Sequence, residues 1–261
     1  PADIAHFILG SKADTLARLE NVVKKSSIGK QISFTALDWQ EDENFVIERV
    51  QKLFSDSRLV VRSSSLSEDN WHFSNAGRFE SVLDVPCMNN SELKKAIQDV
   101  FSSYGSNPDN SEQVLVQELL QDVLMGGVVF TCALESGAPY YRFNFDDITN
   151  STESVTSGTH SGLRTVLLSK LQSQPINNVA TELSGVLEAI QELELLLDFD
   201  KLDIEFALDR EGLVHIFQVR PIVVNHDSYE LDFDKISNSI RRDVQRYNNL
   251  QSPMPCINGS K

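Results

Sequence analysis

The sequence predicts an α+β protein made of two lobes. Three observations support this prediction: amphipathic helical segments and short strands alternate along the chain, a polar, turn-rich stretch interrupts it near residue 105, and a β-hairpin follows its longest helix. With 261 residues, 41% of them apolar, the chain is long enough for one large domain or for two lobes around a cleft.

Composition excludes several classes of function. The net charge of −15 argues against nucleic acid or an anionic membrane as a partner. No apolar run approaches the roughly 20 residues that a membrane-spanning helix needs, so no membrane segment is expected. The three cysteines are scattered and form no C-x-x-C pair, so we expect reduced thiols, as in a cytoplasmic protein.

Apolar periodicity predicts the elements of the first lobe. The expected elements are helices at 12–25, 43–54 and from Ser91, which is a candidate cap, and strands at 59–61 and 79–85. The segment 105–110 reads GSNPDN, a composition typical of a turn. We therefore predict an N-terminal lobe at residues 1–108.

The second lobe is predicted at residues 109–225. Its expected elements are strands at 113–119, 127–134, 140–145 and 164–168, a helix at 182–197, and a hairpin of strands 203–208 and 213–220. The stretch 149–162 is rich in Ser, Thr, Gly and Asn, which is typical of a functional or mobile loop. Residues 226–261 have no clear core and are interpreted as a linker toward further domains, since the chain also begins without Met and resembles a piece of something longer.

The hairpin brings four polar side chains to one face. If residues 209–212 form the loop, Leu208 pairs with Leu213 and Asp203 lies opposite Gln218. Side chains alternate along a strand, so Asp203, Glu205, Gln218 and Arg220 should share a patch, while His215 should point away from it. Two interpretations stay open from the hairpin alone: a structural ion pair through Arg220, or a Mg²⁺ site that uses the carboxylate and amide oxygens.

Three further positions are weak signals individually. Arg62 follows an apolar strand and precedes three serines, so it suits phosphate oxygens or a local carboxylate equally well. Lys12 follows Gly10 and Ser11 at a helix start, where anions are attracted, but it could also be an ordinary surface lysine. Gly77 permits close approach of a ligand to the backbone, or it is only a turn residue.

Taken in order, the motifs resemble a known family. LGSKA, VVRSSSLSED, NAGRFES, VLVQELL, and DIEFALD followed by FQVRPI occur in this sequence over about residues 7–224. The set resembles the N-terminal nucleotide-binding domain of phosphoenolpyruvate synthase, pyruvate phosphate dikinase and rifampin phosphotransferase. The resemblance implies an ATP-grasp fold, in which two α+β lobes clamp ATP.

The resemblance also implies roles for individual residues. Phosphates would be held by Lys12, Arg62 and Arg220, with Arg62 and Arg220 as the catalytic cations, and the loop with Gly77 and Ser81 would line the phosphate side. Gln117 and the backbone of Glu118 to Leu120 would lie beside adenine. Glu205 and Gln218 would coordinate Mg²⁺, supported by Asp203.

The resemblance implies an ATP-dependent phosphotransferase that is incomplete as this chain. Relatives of this type pass a phosphoryl group to a mobile domain with a phosphorylated histidine, and none of the five histidines here has the expected surroundings. Phosphohistidine and acceptor-binding domains would therefore be partners. The segment 142–158 departs from the family's W-G-L-G pattern and resembles glutamine-amide kinases of capsule biosynthesis.

Three alternatives accompany this interpretation. The chain could serve an amide or small-molecule kinase, or act as a non-catalytic nucleotide-sensing module, although Lys12, Arg62, Glu205, Gln218 and Arg220 are all retained. An ATP-grasp carboxylate–amine ligase is the third, and the Q-x-R-P ending favours the synthase-like group over it.

Overall fold

Helices and strands are interspersed along the part of the chain that the structure describes. This computed structural model describes residues 2–65, 80–105, 108–134, 136–148, 163–170, 181–222, 238–239 and 241–245. The helices are α1 (Ala2–Ile8), α2 (Lys12–Leu19), α3 (Ala36–Glu41), α4 (Glu43–Phe54), α5 (Asn90–Ser103) and α6 (Thr181–Leu197). The strands are β1 (Gln31–Thr35), β2 (Arg58–Ser64), β3 (Ser81–Pro86), β4 (Gln113–Glu118), β5 (Val123–Phe130), β6 (Tyr140–Asp146), β7 (Arg164–Ser169), β8 (Leu202–Asp209) and β9 (Val214–Pro221).

The strands form two antiparallel sheets. The first has four strands in the order β1-β4-β2-β3, and the second has five in the order β7-β6-β5-β8-β9. An antiparallel sheet usually buries one face in a core and leaves the other for solvent or a ligand. The predicted α+β class is confirmed.

Each sheet has its own hydrophobic core. Residues of α3, α4 and α5, including Trp39, Val50 and Ile97, pack on the first sheet. The core of the second sheet takes in α6, and it also takes in α1 and α2 through Ala5, Leu16 and other side chains. The first residues of the chain therefore belong by packing to the second lobe.

Sheet membership differs from the boundary predicted between residues 108 and 109. Strand β4 was assigned to the second lobe, but it pairs with both β1 and β2 in the first sheet. A polar turn marks a chain reversal, which need not coincide with a change of sheet, and here the change comes after β4. Relative to the predicted boundary, α1 and α2 therefore belong with the second sheet, and β4 belongs with the first.

Local side-chain contacts set the helix ends. The third predicted helix begins two residues earlier than expected, because Asn89 rather than Ser91 accepts backbone N–H groups at its start. Helix α2 ends at Leu19 instead of continuing to residue 25. The backbone N–H groups of Lys24 and Lys25 donate to the Glu192 carboxylate on α6, a partner that the sequence pattern could not reveal.

Strand β5 begins at Val123, four residues before the predicted start at Gly127. Gly127 lies inside the strand, at a position where neighbouring groups approach the backbone too closely for a larger residue. A Cβ atom there would be 2.6 Å from the backbone oxygen of Asn144, 2.7 Å from Cβ of Phe145 and 2.8 Å from the Phe206 ring. The glycine therefore permits close packing between β5, β6 and β8.

We predict that Gly127→Ala destabilises the protein by about 1–3 kcal/mol, because backbone and packed ring atoms must shift to admit the methyl group. Gly185→Ala on α6 is the matched control, since its Cβ would meet nothing within 4 Å. In a helix interior that change should stabilise by roughly 0.5–1 kcal/mol. Urea unfolding of both variants measures the difference, and a shift of the same sign in both would contradict the packing role of Gly127.

Among the helices that the structure describes, none is both long and apolar enough to cross a membrane.

Cys87 and Cys132 are buried free thiols. Burial raises the pKa of Cys132 to about 11, with smaller opposing contributions from Lys170 and Lys201. This thiol is therefore almost entirely protonated at neutral pH, and protonated thiols are poor nucleophiles.

Candidate functional site

A β-bulge in the β8–β9 hairpin decides which side chains share a face. Near the turn, Leu208 pairs with Val214 and Phe206 with Ile216, whereas farther along Glu205 pairs with Gln218. Phe217 is the extra residue, and an inserted residue reverses the alternation beyond it. Without the bulge, Gln218 would lie on the core face with Ile216.

The observed register of the hairpin differs from the predicted one, but the four polar side chains still share one face. Asp203 lies opposite Arg220, not opposite Gln218 as predicted, and the turn pairs Leu208 with Val214 rather than Leu213. Directly opposed residues share a face, so Asp203, Glu205, Gln218 and Arg220 are together as expected. The pairing is shifted by one residue at the turn and by one more at the bulge. Two one-residue shifts return each side chain to the predicted face, so the shared face was predicted correctly.

His215 lies on the opposite face from the one predicted. It pairs with Ala207, so it shares the side of the sheet that carries Glu205 rather than the core side of Ile216. Its Nε2 is 2.8 Å from Oδ2 of Asp209. Burial tends to raise the pKa of Asp209, but hydrogen bonds from His215 and from backbone N–H groups outweigh it and lower that pKa.

Two ion pairs organise the polar patch. The Arg220 guanidinium donates to Asp203 Oδ2 through Nε at 2.7 Å and through a terminal nitrogen at 2.5 Å. Arg62 on β2 donates to Glu205 on β8 at 2.5 Å and so connects the two sheets. The side chains of both pairs are at most 20% exposed. Ion pairs this enclosed have lost much of their hydration, and breaking either would leave an uncompensated charge.

Lys12 adds a third cation beside these pairs. It begins α2 and is 3% exposed. Ser64, two residues beyond Arg62, accepts a hydrogen bond from the backbone N–H of Ala13, which ties the start of α2 to the end of β2. The start of a helix carries partial positive charge, so the helix and Lys12 favour an anion at this position.

Opposing effects set the charge of the two carboxylates. Burial raises the pKa of Asp203, and the nearby charges of Arg220 and Lys12 only partly oppose this effect. Burial acts in the same direction on Glu205, but Arg62, Lys12 and Arg220 together outweigh it, so the pKa of Glu205 is lowered. The Glu205 carboxylate is therefore ionised at neutral pH, and Arg62 is its main stabilising partner.

A cavity lies between the two sheets at this patch. The space between the lining residues that no atom fills is about 560 Å³, and it includes volume that is open to solvent. Its lining residues are Val60, Arg62, Ser81, Leu83, Gln117, Glu118, Leu119, Leu120, Gly127, Glu205, Phe206 and Phe217. Half of the lining residues are aliphatic or aromatic, and Arg62 and Glu205 supply opposite charges among them.

Six of the predicted site residues line this cavity: Arg62, Ser81, Gln117, Glu118, Leu120 and Glu205. Lys12, Asp203, Gln218 and Arg220 are not part of its lining, although Lys12 and Arg220 act electrostatically on Glu205. Arg220, expected to reach phosphates, is instead engaged with Asp203. Gly77 lies outside the described residues, as do His160 and the segment 149–162.

Sequence reasoning missed several lining residues. Val60 and Leu83 are two residues from Arg62 and Ser81 on their strands, so simple alternation along β2 and β3 would have placed them on the cleft side. Phe217 and Gly127 could not be found this way. Phe217 reaches the cavity through the bulge, and Gly127 lay at the edge of a misplaced strand.

The predicted metal ligands fit Mg²⁺ in chemistry. Among the residues that the structure describes, no group of three or more His, Cys, Asp or Glu side chains could hold a metal ion. Asp203, Glu205 and Gln218 supply two carboxylates and one amide on a single face, and Mg²⁺ typically takes one or two carboxylates and completes its shell with phosphates and water. The set therefore suits a cation that arrives with a phosphate ligand.

No protein-family model and no curated protein matches this chain. Several solved structures resemble it, including the following three. The D-alanine-D-alanine ligase from Coxiella burnetii is 13% identical with a TM-score of 0.47, covering 94% of this chain and 63% of its own. D-alanyl-alanine synthetase A from Vibrio cholerae is 13% identical at 0.48, covering 90% and 63%. N5-carboxyaminoimidazole synthetase from Staphylococcus aureus is 10% identical at 0.44, covering 87% and 47%.

The chain has an α+β architecture of two antiparallel sheets, with a cavity lined by residues of both. The chain spans less than two thirds of the length of the solved structures it resembles. Those proteins are ligases and synthetases, not dikinases. Because the identities are below 25% and the TM-scores below 0.5, these likenesses do not decide a substrate or a reaction.

Proposed function

We propose that this chain binds Mg-ATP in the cavity between its two sheets. The observation that supports the proposal most is the meeting of Arg62 from the first sheet with Glu205 from the second inside that cavity. Arg62, a cation suited to phosphate, lies on the first sheet, and Glu205, a carboxylate suited to Mg²⁺, lies on the second. A ligand that carries both phosphate and a metal ion could bind Arg62 through its phosphate and Glu205 through the metal ion.

The cavity offers a position for each part of the nucleotide. Adenine would lie beside Gln117 and the backbone of Glu118 to Leu120, with Val60 and Phe217 against its faces. The phosphates would extend toward Arg62 and Lys12. Arg220 would add positive charge to the site while it stays paired with Asp203. When bound at Glu205 and Gln218, Mg²⁺ would neutralise phosphate oxygens. Catalysis of phosphoryl transfer consists largely of such positioning and charge stabilisation.

The reaction that the ordered motifs favour is phosphoryl transfer of the phosphoenolpyruvate synthase type. In this proposal the chain is the nucleotide-binding part of an ATP-dependent phosphotransferase, and the acceptor is a histidine on a separate domain. An amide kinase, which would transfer the γ-phosphoryl group directly, is the main alternative. It is favoured by the departure of segment 142–158 from the W-G-L-G pattern.

Isothermal titration calorimetry of the 261-residue chain with ATP and excess Mg²⁺ tests the binding proposal. We expect one site per chain with a dissociation constant in the micromolar to millimolar range typical of nucleotide substrates. GTP should bind more weakly, because the backbone of residues 118–120 would meet a different base edge. Absence of any saturable heat with Mg-ATP would disprove the proposal.

Product analysis separates the two reactions. In a protein that joins this chain to its partner domains, AMP and phosphate as products support transfer of the β-phosphoryl group to histidine. ADP as the only nucleotide product supports direct γ-transfer to an acceptor and would exclude the synthase-type reaction.

A further inference from the structure

The Arg62–Glu205 ion pair occupies the position where the two ligands of the proposed site would meet. The guanidinium and the carboxylate are 2.5 Å apart, with side chains 9% and 20% exposed, and both residues line the cavity. The pair connects β2 with β8, so it also holds the two lobes together. Each partner is thus engaged in the structure with the other.

We infer that nucleotide and divalent cation together displace this ion pair, so that each ligand binds strongly only in the presence of the other. The inference rests on the proposed Mg-ATP site and names how that site is regulated. Arg62 exchanges Glu205 for a phosphate oxygen, and Glu205 exchanges Arg62 for the cation.

The cost of separating the pair explains the coupling. A nucleotide alone would take Arg62 and leave the Glu205 carboxylate enclosed and uncompensated, next to added phosphate charge. A cation alone would take Glu205 and leave Arg62 facing a second positive charge, close to Lys12 and Arg220. Only the two ligands together replace both contacts that the ion pair loses, and such mutual dependence is a coupling free energy between sites.

The unaltered chain provides the first test. ATP affinity is measured by calorimetry in EDTA and in excess Mg²⁺, and Mn²⁺ affinity is measured by electron paramagnetic resonance with and without ATP. We expect each ligand to tighten the other by at least about tenfold, within the 5–150-fold range common for coupled sites. Mg-ATP binding with a coupling below about threefold would overturn this inference and leave the proposed function standing, whereas no binding of Mg-ATP would overturn both.

Two variants test the exchange itself. Glu205→Gln frees Arg62, so ATP in EDTA should bind several-fold more tightly than to the unaltered chain. Arg62→Gln frees Glu205, so Mn²⁺ alone should bind several-fold more tightly. If both ligands instead bind more weakly to the variants, the pair is structural and the inference fails.

The double variant Arg62→Gln/Glu205→Gln separates exchange from simple repulsion. If Glu205 only repels phosphate, its substitution should improve metal-free ATP binding equally with and without Arg62. If the exchange operates, most of the gain should disappear when Arg62 is absent, and this non-additivity is what a double-mutant cycle measures. Equal gains in both backgrounds would overturn the inference. Thermal melting of every variant verifies that it is folded.

Discussion

Arg220→Ala is expected to destabilise the protein by about 3–5 kcal/mol, because it breaks an enclosed ion pair. Asp203 would lose both hydrogen bonds from the guanidinium while remaining enclosed. A loss of this size is a large share of the 5–15 kcal/mol that stabilises a typical domain. Urea unfolding at pH 7.5 measures it.

The loss should depend on pH. Burial already raises the pKa of Asp203 above its usual value, and removing Arg220 removes the main opposing charge, so the pKa rises further. A carboxyl with a raised folded-state pKa contributes stability at low pH that is lost as pH rises through that pKa. The variant should therefore be less destabilised at pH 5 than at pH 8. A destabilisation that is the same at both pH values would contradict the buried carboxylate as its cause.

Arg58→Ala is the matched control, because it removes the same side chain from an exposed ion pair. Arg58 and Asp84 are 39% and 60% exposed and lie on neighbouring strands of the first sheet. Exposed pairs contribute little, so Arg58→Ala should cost far less stability than Arg220→Ala. Similar losses for Arg58→Ala and Arg220→Ala would mean that enclosure does not explain the difference.

Glu205→Ala is expected to have the largest effect on ligand binding. Under the proposed function it removes the ionised carboxylate that would hold Mg²⁺, and affinity for Mg-ATP should fall on the order of a hundredfold. The remaining affinity should no longer depend on Mg²⁺. Calorimetric titrations with ATP, with and without Mg²⁺, measure both expectations.

Glu188→Ala provides the control for this second prediction. Glu188 is an exposed glutamate on α6 that pairs with Lys25, away from the cavity lining. Its loss should leave Mg-ATP affinity within about twofold of the unaltered chain, since surface pairs contribute little. Unchanged metal dependence in Glu205→Ala would refute the assignment of Glu205 as a metal ligand.

The sequence predicts much of the second lobe because strong local patterns coincide there with the final structure. The long helix α6 was expected at 182–197 and is found at 181–197, and β7 differs from its prediction by one residue. In the first lobe, helix α4 likewise begins and ends where its apolar stripe indicated. In these elements the buried side chains recur at the period of the structure itself, so tertiary contacts add no correction.

The candidate site was predictable as a set of residues but not as a set of contacts. Polar residues on alternating strand positions placed Asp203, Glu205, Gln218 and Arg220 on one face, and the structure has them there. The bulge at Phe217 and the pairing of Arg62 with Glu205 depend on how the two sheets face each other. Contacts between residues 143 positions apart leave no periodic trace in the sequence.

The exchange of segments between lobes has a consequence for motion. The chain passes from the second core to the first sheet near Gly29 and Lys30, and returns through 119–122, and both crossings line one groove with Ser55 and His215. Because the two covalent connections lie side by side, we expect any change in the angle between the two sheets to be taken up by the backbone of these two crossings.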